Sequence, residues 1–339
     1  TPLYSSAASD VYKRQLEIAV VATGGTIACE ADETGALVPR RTAAELIESA
    51  GITAPCRPVD VRALDSSSMT LTDVDALIAT VHEQLADPSI AGVVVTHGTD
   101  SMVETAFALD LFHTNPAKPV VLTGAQRAAD ADAPDGPGNL RAAADYISGA
   151  VSGDATDRHR ASGVVVAFGG SITPARGLVK ADTHALDAFR PTAGSSGDEN
   201  PPRPAPIHPV RLAGMKIPIV AGWAGADGDI VDAVIGMEPD GIVVEGMGSG
   251  NVSEQMGQAL HRALDAGIPV VVTTVVPHGK VEFAYGGAGG GATLGDRGAI
   301  PAGWLRAGQA RIALAAALSA GIDPRTLIDG SGARPPHQR

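Results

Sequence analysis

Aromatic residues are scarce: Phe, Trp and Tyr make up 3% of the 339 residues. A surface that grips single-stranded nucleic acid needs aromatic platforms on which bases stack, so that class is disfavoured. Basic residues are in deficit too. Lys and Arg number 25 against 38 Asp and Glu, a formal net charge of −13, and the mean field repels nucleic acid and anionic membranes alike. No apolar run approaches the ~18 residues of a membrane span. Cysteine occurs only as Cys29 and Cys56. They lack C-x-x-C spacing, so neither a zinc site nor a disulfide framework is indicated, and a single bridge between them is left open. The histidines are scattered without ligand spacing, and no metal is expected. The dinucleotide order G-x-G-x-x-G is also missing from Thr23-Gly24-Gly25-Thr26, which disfavours a nicotinamide enzyme; no cofactor is expected.

What remains is ordinary for a globular chain: 44% hydrophobic and 19% charged residues, with Gly and Pro together below the roughly 25–30% of low-complexity sequences. The length suits about two domains. Residues 1–15 carry no periodic pattern and no basic-then-apolar signal layout, and they read as a non-native or disordered arm. From Leu16 a rhythm sets in. An apolar run to Ala22 precedes the Thr-Gly-Gly-Thr turn, and Thr42 with Glu45 predicts a capping box for a helix over Ala43 to Ala50. A second apolar segment ends near Leu64. Thr72 with Asp75 predicts the cap of a helix reaching about Ala86. Strands are expected at Gly92 to Val95, Val120 to Thr123 and Gly163 to Phe168, with helices at Met102 to Phe112 and Leu140 to Ser148. Short Val-rich runs alternating with amphipathic helices require a parallel sheet covered on both faces.

Texture changes between Pro191 and Pro209, where Pro, Gly, Ser and Asp dominate, and residues 196–211 read as a linker. The rhythm then resumes on a smaller scale. Strands are expected at Ile217 to Val220, Ile242 to Val244 and Val270 to Thr274, and helices at Ile230 to Ile235, Ser253 to Ala266 and Gln309 to Ala320. The expectation is therefore an α/β chain: a large N-terminal domain (16–195) with a mainly parallel sheet flanked by helices, a smaller C-terminal α/β domain (212–330), and a tail (331–339). Residues 279–298 stand apart, so rich in glycine that a mobile or tightly turning loop is expected, anchored by Phe283 and Tyr285.

Ligands of open α/β sheets bind beyond the carboxyl ends of the strands. Beyond the first strand stands Thr23-Gly24-Gly25-Thr26; beyond the strand ending at Val95 stands Thr96-His97-Gly98-Thr99-Asp100. Two hydroxyl-bearing loops facing one crevice suggest nucleophilic catalysis on a small polar substrate, with glycines letting backbone N–H groups approach a developing oxyanion. Each loop alone reads first as a plain turn. Lys180 alone is a solvated strand end, and Ser66 in a Ser-rich run is a turn-former.

Val20-Val21-Ala22-Thr23-Gly24-Gly25-Thr26-Ile27-Ala28 and Thr96-His97-Gly98-Thr99-Asp100-Ser101-Met102-Val103-Glu104-Thr105 resemble the two signature segments of the bacterial-type L-asparaginase/glutaminase family. The likeness continues in family order through Pro119 to Ala125, Asp135-Gly136-Pro137 with Asn139-Leu140, and Gly248-Ser249-Gly250-Asn251. It ends near Gln309-Ala310-Arg311. The resemblance implies hydrolysis of the side-chain amide of L-asparagine, with Thr23 as nucleophile and Thr99, Asp100 and Lys180 as the second catalytic cluster. Ser66, Gly24, Thr99 and Asp100 would bind substrate, Ser66 meeting the α-carboxylate and Asp100 the ammonium. A homotetramer built as a dimer of dimers is implied, each site lying between the large domain of one subunit and the small domain of its partner. A cytoplasmic address is expected, or a periplasmic or secreted one if a leader precedes the chain. Comparable use of glutamine and a non-catalytic amino-acid-binding role are the alternatives; an amidotransferase subunit acting on charged tRNA is disfavoured by the acidic balance. Lys180 carries a tension, since it is a base only when neutral and Asp100 favours its charged form. His97, Ser249 and Asn251 read as braces. Three family features are not matched: a loop tyrosine falls on Ala36, a small-domain asparagine falls on Gly225, and the late acidic residue has Glu282 as its nearest counterpart. Tyr285 is the remaining candidate to reach a neighbouring site.

Overall fold

A computed structural model describes residues 16–152, 163–193 and 203–331. The expected arm, the first part of the expected linker and nearly all of the tail lie outside the described residues. Strand β1 (Glu17–Gly24), the hairpin β2 (Cys29–Ala31) and β3 (Leu37–Pro39), helix α1 (Ala43–Ala50) and strand β4 (Cys56–Leu64) open the fold. Helix α2 (Leu71–Ala86), β5 (Ile90–Thr96), α3 (Met102–Phe112), β6 (Val120–Thr123) and α4 (Gly136–Ser152) follow. Then come β7 (Val165–Phe168), β8 (Ser171–Pro174), β9 (Leu178–Lys180) and β10 (Phe189–Pro191). The large sheet runs β4-β1-β5-β6-β7-β8, parallel except for the β7–β8 edge.

Its central strands are buried along their whole length, as expected of Val-rich runs covered on both faces. On one face Val20, Val94 and Val121 pack with Leu46 of α1 and Leu140 and Ile147 of α4. The other face joins α2 and α3 to the second half of the chain. There a smaller all-parallel sheet, β11-β12-β13-β14 (Ile219–Ala221, Ile242–Gly246, Val270–Thr274, Ile300–Pro301), turns Val243 and Val271 into the core that also holds Val93 and Val95. Helices α3 and Ala307–Ala320 are buried nearly all round because each is sandwiched at this seam. The outer face of the small sheet is covered by helices Asp229–Ile235 and Glu254–Asp265.

The capping box at Thr42 and Glu45 is present. The cap expected at Thr72 and Asp75 is corrected: Thr70 and Asp73 form it, two residues earlier. Both pairs have the same spacing. Asp75 is used elsewhere, accepting the backbone N–H groups of Leu212 and Ala213 at 3.0 and 2.9 Å. The late glycine-rich segment turns tightly and contains a helix, Gly291–Asp296. Phe283 lies against Gly291 and Gly295, where any side chain would meet its ring. Cys29 and Cys56 are free thiols.

Candidate active site

From β1 the chain crosses to β4 on one side, whereas β5 leads to β6 on the other, so the switch in direction falls between β1 and β5. Open sheets bind ligands outside such a switch. Thr23 stands at the end of β1, and Thr99 just past β5. Both are buried, and the Thr23 hydroxyl bridges the two strands by donating to the Thr96 carbonyl at 2.9 Å. Glycine lets the loops meet. Gly25, at φ 76°, lies so close to Gly98 that a methyl group there would run into the Gly98 backbone. Gly24, at φ 96°, rests on β4, where a Cβ would lie 2.6 Å from the Leu64 carbonyl oxygen. The Gly25 N–H is already donated to that oxygen at 3.1 Å, so it is not a free oxyanion donor.

Ser66 opens a 3₁₀ turn, Ser66–Ser68, whose start Asp65 caps by accepting from the Ser67 N–H. Its Oγ accepts the Asp100 N–H at 3.2 Å, which leaves the hydroxyl proton for another acceptor. Its carbonyl accepts from Ser101 Oγ at 2.7 Å. Lys180 arrives on β9, paired antiparallel to β10. Its Nζ donates to Thr99 Oγ1 at 2.8 Å and to Asp100 Oδ1 at 2.9 Å. Thr99, Asp100, Lys180 and Ser66 therefore form one hydrogen-bonded cluster, joined to the Thr23 loop through Gly25 and Gly98. Among the described residues, no base is hydrogen-bonded to Thr23.

His97 is fully buried. Its Nδ1 faces the Gly98 carbonyl at 2.7 Å and its Nε2 the Met69 sulfur at 3.1 Å. Burial pushes its pKa down to about 4, and the neutral ring braces the loop from behind. Met247 and Asn251 form an antiparallel bridge, and Asn251 Oδ1 accepts from the Gly291 N–H at 3.4 Å. Ala36 lies exposed in the turn between β2 and β3, where Asp32 accepts from Thr34 and Ala36 backbone N–H groups. Glu282 is exposed and paired with Lys280 at 3.2 Å, and Tyr285 is exposed. Among the described residues, no hydrogen bond joins Ala36, Gly225, Glu282 or Tyr285 to Thr23 or Thr99. Ser101 is a site contact that sequence reasoning missed, although it stands inside the second signature segment.

Among the described residues, no group of three or more His, Cys, Asp or Glu is placed to hold a metal ion, and no helix is long and apolar enough to cross a membrane. Residues 17–197 match the family model described as Asparaginase, N-terminal. Residues 216–329 match the one described as Glutaminase/Asparaginase C-terminal domain. A protein named probable L-asparaginase from Deinococcus radiodurans is 37% identical over 90% of this chain and 93% of its own length. An L-asparaginase from Bacillus licheniformis is 31% identical over 89% of this chain and 95% of its own length. The crystal structure of a probable cytoplasmic L-asparaginase from Campylobacter jejuni superposes with a TM-score of 0.78 at 29% identity, covering 93% of this chain and 98% of that one.

Proposed function

The chain belongs to the asparaginase family, and we propose that it hydrolyses the side-chain amide of L-asparagine to L-aspartate and ammonia. One observation carries the reading: Lys180 bonded to both Thr99 and Asp100, on the loop that Gly25 holds against the Thr23 turn. Asp100 gives one carboxylate oxygen to Lys180, and among the described residues Oδ2 has no partner, so it is open to the substrate ammonium. Ser66 keeps a hydroxyl proton for the α-carboxylate. Together these two contacts would fix the backbone end of the amino acid and direct its amide toward Thr23.

Thr23 Oγ attacks the amide carbon, ammonia leaves and an aspartyl ester forms. Thr99, held by Lys180, then positions water to cleave the ester. An ammonium bound at Oδ2 would share the Asp100 carboxylate with Lys180, which holds Oδ1. The proton of Thr23 rests on the Thr96 carbonyl, a fixed acceptor that orients the hydroxyl without removing its proton. Its removal therefore depends on a group brought in with substrate or assembly. We extend the reading to a homotetramer whose sites are shared between neighbouring subunits, and to the cytoplasm, in line with the name of the Campylobacter relative.

Ammonia release from L-asparagine and L-glutamine, measured for the wild type and Thr23→Ala, tests the proposal. Turnover is expected with asparagine, and at least a thousandfold loss with Thr23→Ala. Comparable release from glutamine would make the enzyme a glutaminase-asparaginase; one methylene is worth only about 1–3 kcal/mol of discrimination. Aspartate binding without any release would point to a binding protein.

A further inference from the structure

Lys180 sits on a strand of three residues. So short an element does not by itself hold a long, flexible amine within hydrogen-bond reach of Thr99. The hairpin is seated from the other half of the chain. Gln309, on the helix Ala307–Ala320, is fully buried. Its amide nitrogen donates to the Ala175 carbonyl at 2.6 Å and the Val103 carbonyl at 3.4 Å, and its Oε1 accepts the Gly177 N–H at 2.9 Å. Ala175 and Gly177 immediately precede β9. Val103 lies in the first turn of α3, four residues beyond Thr99. One side chain thus spans the entry to the Lys180 strand and the helix that begins beside Thr99.

The flanks are tied in the same way. Arg176, between the two Gln309 contacts, is buried and donates to the Leu327 and Ile328 carbonyls. Past β10, Thr192 Oγ1 donates to the Trp304 carbonyl at 2.9 Å, and the Thr192 carbonyl accepts the Gly279 N–H at 2.9 Å. A buried amide is costly unless its donors and acceptor are matched, and here both ends are used. No apolar side chain of similar size offers a donor and an acceptor to the same backbone turn.

We propose that Gln309 is a positioning residue for Lys180: it fixes the hairpin against the start of α3 so that Nζ meets Thr99. The activity consequence rests on the reading above, in which Lys180 serves ester hydrolysis. The test is Gln309→Met in the full-length chain. Two readouts are needed: kcat and KM for L-asparagine, and the rate at which trace acetic anhydride labels Lys180 relative to Lys118, followed by mass spectrometry. The expected result is a kcat at least tenfold lower, KM within threefold of wild type, and Lys180 labelled at least threefold faster. In a Lys180→Met background the same substitution should cause no further loss of kcat.

An unchanged kcat with unchanged labelling overturns the proposal. So does an equal loss of kcat in the Lys180→Met background, because Gln309 would then act through the fold at large. If Lys180→Met turns over like wild type, the hydrolytic role of the lysine fails; the labelling ratio then decides positioning alone, faster supporting it and unchanged overturning it. Should Gln309→Met not fold, Thr192→Val, which frees the other strand of the hairpin, is read by the same two measurements and the same criteria.

Discussion

At the scale of single residues, the loops are held by groups that take no part in chemistry, and His97 shows the cost. Burial drives its pKa from 6.5 to about 4. Between those values the unfolded chain binds a proton that the folded chain refuses. The stability it contributes at neutral pH is therefore lost progressively as pH falls from about 6.5 toward 4. Linkage puts this at about 2 kcal/mol by pH 4.5. His113, buried and facing Arg203 and His82, is lowered to about 4 as well and adds to the same limb. Urea unfolding of His97→Gln at pH 7 and pH 4.5 should give a difference smaller than that of wild type by about that amount. An equal difference would mean that His97 is protonated in the fold. Thr23, Thr99 and Asp100 stand out in the sequence as candidates because they lie at or shortly beyond the carboxyl ends of two strands. Lys180 and Ser66 were not legible from their own surroundings. A lysine closing a three-residue strand and a serine in a serine run look like countless surface residues, and only the family resemblance singled them out.

At the scale of elements, spacing rules found the helices but not always their first residue. Thr70 with Asp73 and Thr72 with Asp75 obey the same capping pattern, and sequence spacing does not rank them. The fold does, because Asp75 is claimed by the backbone of Leu212 and Ala213. Thr70→Ala should destabilise the protein by about 1 kcal/mol, the usual worth of an N-cap. Thr72→Ala should cost a few tenths at most. Chemical denaturation midpoints of the two variants check the assignment, and the reverse order would restore Thr72 as the cap. The glycine-rich segment 279–298 teaches the complementary lesson. Glycine density signals either freedom or close approach, and the choice depends on what lies opposite. Here both occur: the Phe283 ring lies opposite Gly291 and Gly295 and backbone lies opposite Gly289 and Gly290, whereas Gly279, Gly286, Gly287 and Gly298 face open space, a division that resides in no local window of sequence.

At the scale of the whole molecule, the two sheets share a core, since Val93 and Val95 of one and Val243 and Val271 of the other belong to a single apolar cluster with α3 between them. Sequence rhythm announced two α/β halves but not this seam, because helices buried all round have no polar face to mark which side meets a partner. The chain between the halves is fastened as well. Arg203 Nε donates to Asp110 Oδ1 at 2.8 Å, and the Ile207 N–H donates to the Leu111 carbonyl at 2.9 Å. Asp110 is almost fully buried, and desolvation raises its pKa even with Arg203 beside it. Removing the cation leaves that carboxylate in the interior with the Val164 N–H and the field of Arg176 for company. Breaking such a pair from one side costs about 3–5 kcal/mol. Arg203→Met should therefore lower the melting temperature by several degrees, and in calorimetry the protein should still melt in one transition, because a common core couples the sheets. Two separated transitions in the variant would mean that the pair, rather than the shared apolar seam, joins the halves. An unchanged melting point would mean that Asp110 is protonated in the fold and indifferent to its partner.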